Sequence, residues 1–373
     1  MDVHIISVDI IKPSSPTPSH LTEFNLCSLD HLITADYAPI LFFYLNQNNS
    51  KPLHNLPLLK KSLSQTLSRF SQLAGTIKDD LSIACNDRGA CFVMTKAENL
   101  LLRDFLESPD LKLIAKLLPC GPVRKSADFV TNIQLTEFQC GGISIGVCVS
   151  HKILDGVGLS TFLKSWACSA NSSEEKNPAR PNLSAPSIFP AADVSLRDSS
   201  TAMWGSLISE GQFVTKRFVF DGSKIEILKN LAAAGSSTRA RPTRVEAVSG
   251  FIWKCAAAAC EERFGHKRPS FVTHLVNLRK RASPNLLQES LGNLVWCLEE
   301  IRELGSEDRV DHYGFSSWCK LGFYDVDFGR FDDGIEAWVT LDEEEMAILE
   351  CNQEFKDFVS FNPSPLYVAN LGA

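Results

Sequence analysis

Ile143, Ile145, Val147 and Val149 alternate with small or polar residues, and this period of two predicts a β-strand with one apolar face. His151 continues the same face. Beyond it the period changes. Leu159, Phe162, Leu163 and Trp166 recur at helical spacing, with Asp155 in position to cap the helix and Gly156-Val157-Gly158 easing the turn. A strand, a tight corner and a helix are therefore predicted between residues 143 and 166. Upstream, Leu59, Leu63, Leu67 and Phe70 mark an amphipathic helix, followed by strand-like runs at Leu81 to Ala84 and Cys91 to Thr95.

The second half repeats this mixture. Gln212 to Phe220 alternates like a strand and Ser223 to Ala234 reads as a helix. Thr243 and Glu246 have capping-box spacing, and the helix they start carries Val245, Val248, Ile252, Cys255 and Ala259 on one side. Ile335 to Leu341 is predicted as a strand and Asp342 to Glu350 as an acid-started helix. Between the halves, residues 171–199 are rich in Ser, Asn, Pro and charge, as expected of a long crossover. Helices and strands mixed in this order predict an α/β architecture with sheets joined by crossovers.

Composition narrows the function. A length of 373 residues is enough for two domains, and 44% apolar with 22% charged residues is the balance of an ordinary globular protein. A net charge of −7 without any Lys/Arg-rich run argues against nucleic acid as the main partner. No apolar run reaches the length of a membrane span, and acids stand near the N-terminus where a signal peptide would be basic, so a cytoplasmic protein is expected. The 12 cysteines lack any Cys-x-x-Cys pair and read as buried thiols of a reducing compartment rather than as metal ligands.

Against this background the corner at residues 151–155 is the candidate for chemistry. A histidine ending a buried strand can present a near-neutral imidazole to a cleft and take a proton from an alcohol or amine. Asp155 reads as a support that bonds backbone N–H groups or meets an arginine. Two other spellings point elsewhere. Gly142-Ile143-Ser144-Ile145-Gly146 matches the nucleophile elbow of serine hydrolases, but the strand alternation runs on past Ser144, where that motif needs a helix. Asp327-Phe328-Gly329 spells a kinase metal-binding triplet in a chain with neither His-Arg-Asp nor a phosphate-covering glycine loop. The N-terminus of the Thr243 helix is a candidate anion contact, with Ser249 and Lys254 further along it.

Taken together, Leu63 to Thr76, His151-Lys152-Ile153-Leu154-Asp155-Gly156, Thr243 to Trp253, Asn277-Leu278-Arg279-Lys280-Arg281, Asp327-Phe328-Gly329 and Ile335-Glu336-Ala337-Trp338-Val339 resemble the plant BAHD acyltransferases. The wording at both ends is most similar to the alkaloid O-acetyltransferase branch. Peptide-synthetase condensation domains share the fold but usually double the histidine, and Ser150 stands at that place here.

The resemblance implies two chloramphenicol-acetyltransferase-like domains with mixed sheets and flanking helices. Residues 1–175 would form the N-terminal domain, 176–205 the crossover, and 206–373 a C-terminal domain shortened internally. It implies His151 as general base, Asp155 as structural carboxylate, and Asp327, Phe328, Gly329 and Arg279 as structural motif residues. A pairing of Asp327 with Arg279 or Arg281 is expected. Thr243, Ser249 and Lys254 would contact an acyl-CoA co-substrate, preferably acetyl-CoA. The reaction is transfer to a hydroxyl of a small plant metabolite such as an alkaloid, by a monomer without metal or tightly bound cofactor.

The chain also departs from that pattern. After Gly329 it reads Arg330-Phe331-Asp332-Asp333-Gly334-Ile335, where the family continues Trp-Gly and adds a strand and loop. A second gap follows Trp296, and the two together amount to roughly 60 residues, about half a small domain. The departures leave two further readings: a catalytically silent relative that binds a ligand or partner, and, more remotely, a serine hydrolase.

Overall fold

The structure, a computed structural model, describes residues 2–33, 36–46, 56–79, 81–119, 129–171, 178–191, 212–235, 241–281, 289–296, 310–323 and 334–368. Its first half is organised on a five-stranded mixed sheet of β1 (Asp2–Ile11), β3 (Tyr37–Tyr44), β6 (Ala90–Glu98), β7 (Thr131–Phe138) and β8 (Ile143–Ser150), in the order β1-β6-β7-β8-β3. Only β6 and β7 run parallel. The short strands β2 (Glu23–Asn25), β4 (Thr76–Ile77) and β5 (Ser82–Ala84) make a small separate sheet.

Helices α1 (Leu56–Arg69) and α4 (Gly156–Ala170) cover one face of the main sheet. Leu63, Leu67, Phe70, Leu159 and Phe162 meet Ile133, Ile145, Val147 and Val149 there in one core. Each fully enclosed Leu or Phe in such a core contributes roughly 1.5–3 kcal/mol of apolar burial. The other face is covered by α2 (Leu102–Glu107), α3 (Leu111–Ile114) and the turn after it, with Leu117 enclosed and the Lys116 carbonyl accepting from the Gln134 amide at 2.9 Å.

β8 therefore differs from the one-faced strand its alternation predicts, because all eight of its residues are buried. The second face is filled by small residues because the backbone after α3 passes so close. A Cβ added at Gly146 would lie 2.4 Å from the Leu117 carbonyl oxygen.

The second half builds a separate core. β9 (Phe213–Phe220) is the centre of a sheet with β14 (Ile335–Asp342) and β15 (Ser360–Phe361), and pairs antiparallel with β14 from Phe220↔Ile335 to Phe213↔Asp342. Helices α6 (Gly222–Ala234), α7 (Arg244–Phe264), α8 (Glu343–Cys351) and α9 (Gln353–Phe358) pack on it, following α5 (Ala185–Ile188) in the crossover. Phe218, Phe220, Phe251 and Phe355 form the aromatic centre of this core.

α7 starts as predicted. Thr243 Oγ1 accepts from Glu246 N at 3.2 Å and Glu246 Oε2 accepts from Thr243 N at 2.7 Å. It stops at Gly265, whose φ of +73° suits glycine. Two further strand pairs complete the half: β10 (Ser270–His274) parallel to β13 (Asp311–Phe315), and β11 (Val276–Asn277) with β12 (Val295–Trp296).

The halves are joined by more than the chain. Leu291 and Phe323 enter the first core, and α10 (Pro365–Val368) lies beside α2, where Ser364 Oγ donates to the Leu106 carbonyl at 2.8 Å. Among the described residues no helix is long and apolar enough to cross a membrane.

Candidate active site

β8 ends at Ser150 and α4 begins at Gly156, so His151 occupies the first position of the corner, half-buried, with its backbone N–H donating to the Asp36 carbonyl at 2.8 Å. The imidazole does not bond to Asp155. Its Nδ1 lies 2.9 Å from Oδ1 of Asn293, a residue 142 positions away in sequence. The Asn293 side-chain nitrogen donates to the His151 carbonyl at 2.7 Å and to Asp30 Oδ1 at 2.9 Å. Both donors of that amide are thus directed at acceptors, which fixes its orientation and turns Oδ1 toward the ring. Nδ1 must then carry a proton, and in the neutral ring the lone pair is on Nε2.

Asp30 closes this arrangement from behind. It is fully buried and accepts from the backbone N–H groups of Asn293 at 2.6 Å and Cys27 at 2.8 Å. Burial pushes its carboxyl above the ordinary carboxylate range, opposed by the donors from Asn293 and Cys27. Burial also pushes the neighbouring Lys152 ammonium down, opposed by the charge of Asp30. Gly292 lets the loop approach. Its φ is +127°, and a Cβ there would face both Asp30 carboxylate oxygens at 3.6 Å.

Asp155 does the two things read for it, on a different line of contacts. Oδ1 caps α4 through the N–H groups of Val157 at 3.1 Å and Gly158 at 3.0 Å. Oδ2 accepts from Arg279 Nη1 at 2.5 Å and from the Leu294 backbone at 3.2 Å. The other Arg279 terminal nitrogen donates to the carbonyls of Ser290 at 2.8 Å and Gly292 at 3.2 Å. With side chains only 2% and 4% exposed, this ion pair clamps the 290–294 segment to the start of α4 and so sets where Asn293 meets His151.

Among the described residues both terminal nitrogens of Arg279 are taken by Asp155 and the 290–292 carbonyls, and Arg281 Nη1 donates to the Asn277 carbonyl at 3.2 Å. The expected pairing of Asp327 with Arg279 or Arg281 falls on a residue outside that set. Asp327, Phe328 and Gly329 lie outside the described residues.

The three residues read as co-substrate contacts are not brought together. Thr243 and Ser249 line a cleft of about 3260 Å³, whereas Lys254 does not line it and pairs with Glu354 on the surface at 2.5 Å. Helix geometry explains the split, since at 3.6 residues per turn Ser249 and Lys254 point about 140° apart. The capping box also places the Glu246 carboxylate on the helix N-terminus where an anion would sit. The same cleft is bordered by Arg279 and Asn277 but not by His151, so the imidazole stands beside it rather than in its wall. Ser144 is fully buried in mid-strand, which removes it as a nucleophile. Among the described residues no group of His, Cys, Asp or Glu is placed to hold a metal ion.

Asn293 and Asp30 were not legible as site residues. The one available signal was polarity in apolar company, in Leu29-Asp30-His31-Leu32 and Leu291-Gly292-Asn293-Leu294. Polar residues so placed are either buried and paired or loop positions, and sequence does not separate the two.

A mixed-sheet half bearing a histidine at a strand-to-helix corner, locked to a second mixed-sheet half by an Asp–Arg pair, defines a two-part acyltransferase of the chloramphenicol-acetyltransferase-like fold. Residues 1–309 match the Transferase family, and the chain belongs to that family, the BAHD acyltransferases, which use acyl-CoA as co-substrate.

Among its relatives, limonoid 7-O-acetyltransferase of Citrus sinensis is 35% identical over 462 aligned positions, covering 98% of this chain and 100% of the relative. Vinorine synthase of Rauvolfia serpentina is 31% identical, covering 92% and 95%. The crystal structure of vinorine synthase superposes with a TM-score of 0.79 at 29% identity, over 96% of this chain and 99% of that one. F. sporotrichioides TRI101 complexed with coenzyme A and T-2 shares the fold, with a TM-score of 0.68 at 16% identity over 91% and 99%. The 373 residues of this chain span relatives that need 462 aligned positions, so it lacks internal segments that they carry.

Proposed function

We propose that the protein transfers an acyl group, preferably acetyl, from coenzyme A to a hydroxyl of a plant secondary metabolite of the alkaloid or limonoid kind, with His151 as general base. The observation that carries this reading is the Nδ1 contact to Asn293 Oδ1 at 2.9 Å, which selects the neutral tautomer whose Nε2 bears the lone pair. Nε2 takes the proton of the acceptor hydroxyl as its oxygen attacks the thioester carbonyl. The tetrahedral oxyanion then collapses, the C–S bond breaks, and the departing thiolate recovers the proton from Nε2. Asn293 Oδ1, backed by Asp30, steadies the imidazolium between these steps. The relatives named as acetyltransferases of limonoid and alkaloid substrates support the choice of donor and acceptor. The same reading keeps the division into residues 1–175, 176–205 and 206–373, and a cytoplasmic monomer.

Purified protein incubated with acetyl-CoA and a panel of hydroxylated alkaloids and limonoids is expected to release free thiol only when an acceptor is present. A second reading, a silent relative that binds but does not turn over, draws on the missing internal segments. Saturable coenzyme A binding with no thiol release for any acceptor would favour it.

Asn293→Ala is expected to reduce kcat at least about tenfold, short of the ~10⁴-fold loss seen when a group holding the tautomer of a catalytic histidine is removed. The KM for acetyl-CoA should hold steady. An unchanged kcat would show that the ring needs no such partner.

A further inference from the structure

We infer that Leu321 is a positioning residue for His151, gripping the exit of the corner from the second half of the chain. The inference rests on the reading of His151 as general base. The first residue of α4 is Gly156, directly after Asp155, and a Cβ built there would lie 2.6 Å from Cδ1 of Leu321. The absence of a side chain lets Leu321 press on the backbone at the point where the corner becomes helix. Four residues on, and so on the same side of the helix, Ser160 Oγ donates to the Leu321 carbonyl. One residue of the second half thus holds two successive turns of α4, by its side chain at the first and by its carbonyl at the second.

Leu321 is itself held in place. Its N–H donates to the Trp318 carbonyl at 3.1 Å, the Trp318 ring packs on Phe323 with centroids 5.4 Å apart, and Phe323 is buried in the first core, where Leu321 also packs. This strap leaves β13 at Phe315, whose carbonyl accepts from Leu275 N at 2.9 Å, and Leu275 begins the short run that reaches Arg279. Consecutive residues Asp155 and Gly156 are therefore gripped by two neighbouring stretches of the second half, one through charge and one through packing. The ion pair fixes a point, about which α4 could still pivot. Contact along the side that carries Gly156 and Ser160 removes the pivot. The imidazole is sensitive to it, because its Nδ1 bond to Asn293 measures 2.9 Å and a shift of about 1 Å takes it out of hydrogen-bond range. Misplacement of that size costs about 10²-fold in rate. Leu321 also lines the cleft, so a direct substrate contact would show in KM, whereas positioning shows in the ring.

The deciding measurement needs no turnover. The full chain is labelled with ¹⁵N-histidine, and the His151 ring is identified by the nuclear magnetic resonance signals lost in His151→Gln. At mildly alkaline pH the wild type is expected to show a protonated Nδ1 and a bare Nε2. Leu321→Ala should mix the two tautomers of this ring, and Leu321→Met, which reaches the same point, should leave it as in the wild type. Gly156→Ala should mix them as well, because its methyl displaces Leu321, and this variant keeps the question open to test if Leu321→Ala does not fold. Gly156→Ala combined with Leu321→Ala should restore the wild-type ring, the new methyl taking up the vacated contact. Acceptor-dependent thiol release should fall about 10- to 100-fold in kcat in Leu321→Ala, with the KM for acetyl-CoA within about twofold. A wild-type His151 ring in Leu321→Ala or in Gly156→Ala, a double variant that restores nothing, or a loss confined to KM would overturn the inference. Full thiol release in His151→Ala would end the base assignment without altering these spectra, so the two failures are separable.

Discussion

Replacing His151 by Ala is expected to lower acceptor-dependent thiol release from acetyl-CoA by about 10²- to 10⁴-fold, the range that a positioned general base supplies. The loss should fall on kcat, because the ring is assigned to proton transfer rather than to holding either substrate. His151 is half-buried and its side chain bonds, among the described residues, to Asn293 alone, so the variant should fold, which circular dichroism and retained coenzyme A binding would check. His151→Gln offers an amide of similar reach that hydrogen-bonds without accepting a proton, and it should be as inactive. Thiol release at the wild-type rate in either variant would remove His151 from the mechanism.

Breaking the Asp155–Arg279 pair should have the largest effect on stability. Either Asp155→Ala or Arg279→Ala leaves an unpaired charge at a site nearly closed to water, a change that costs about 3–5 kcal/mol. The two variants also release the Ser290 and Gly292 carbonyls or the Leu294 N–H, so the Asn293 loop loses its anchor. Chemical denaturation of the double variant should reveal a coupling of about 1–3 kcal/mol, because removing the second partner abolishes the unpaired charge. Additive single effects would mean that the pair acts only through α4 capping and local packing. Arg279→Lys should rescue little, since one ammonium cannot reach an Asp carboxylate and two carbonyls in the fork geometry that a guanidinium provides.

The structure adds to Arg279 a partner that its motif does not name. Its place in Asn277-Leu278-Arg279-Lys280-Arg281 marks it as a motif residue but does not say which acid it meets. Asp155 was legible as an N-cap because capping depends on residues three positions apart. That its second oxygen would bind an arginine 124 residues later was one of several open options. Likewise the alternation of β8 predicted its strand and the apolar face that carries His151. It could not foresee that the even-numbered face would be closed by the turn after α3.

What the sequence determined by itself is local: the strand to Ser150, the corner at His151, the capped starts of α4 and α7, and the strand and helix from Ile335 to Cys351. These follow from side-chain period and from caps that reach no further than one helical turn. The tertiary structure alone decided that Asn293 stands on His151 across 142 residues and on Asp30 across 263. The physical reason is the same in each case. A hydrogen bond between distant segments exists only where packing of two separate cores delivers both partners to within about 3 Å, and no spacing along the chain encodes that meeting.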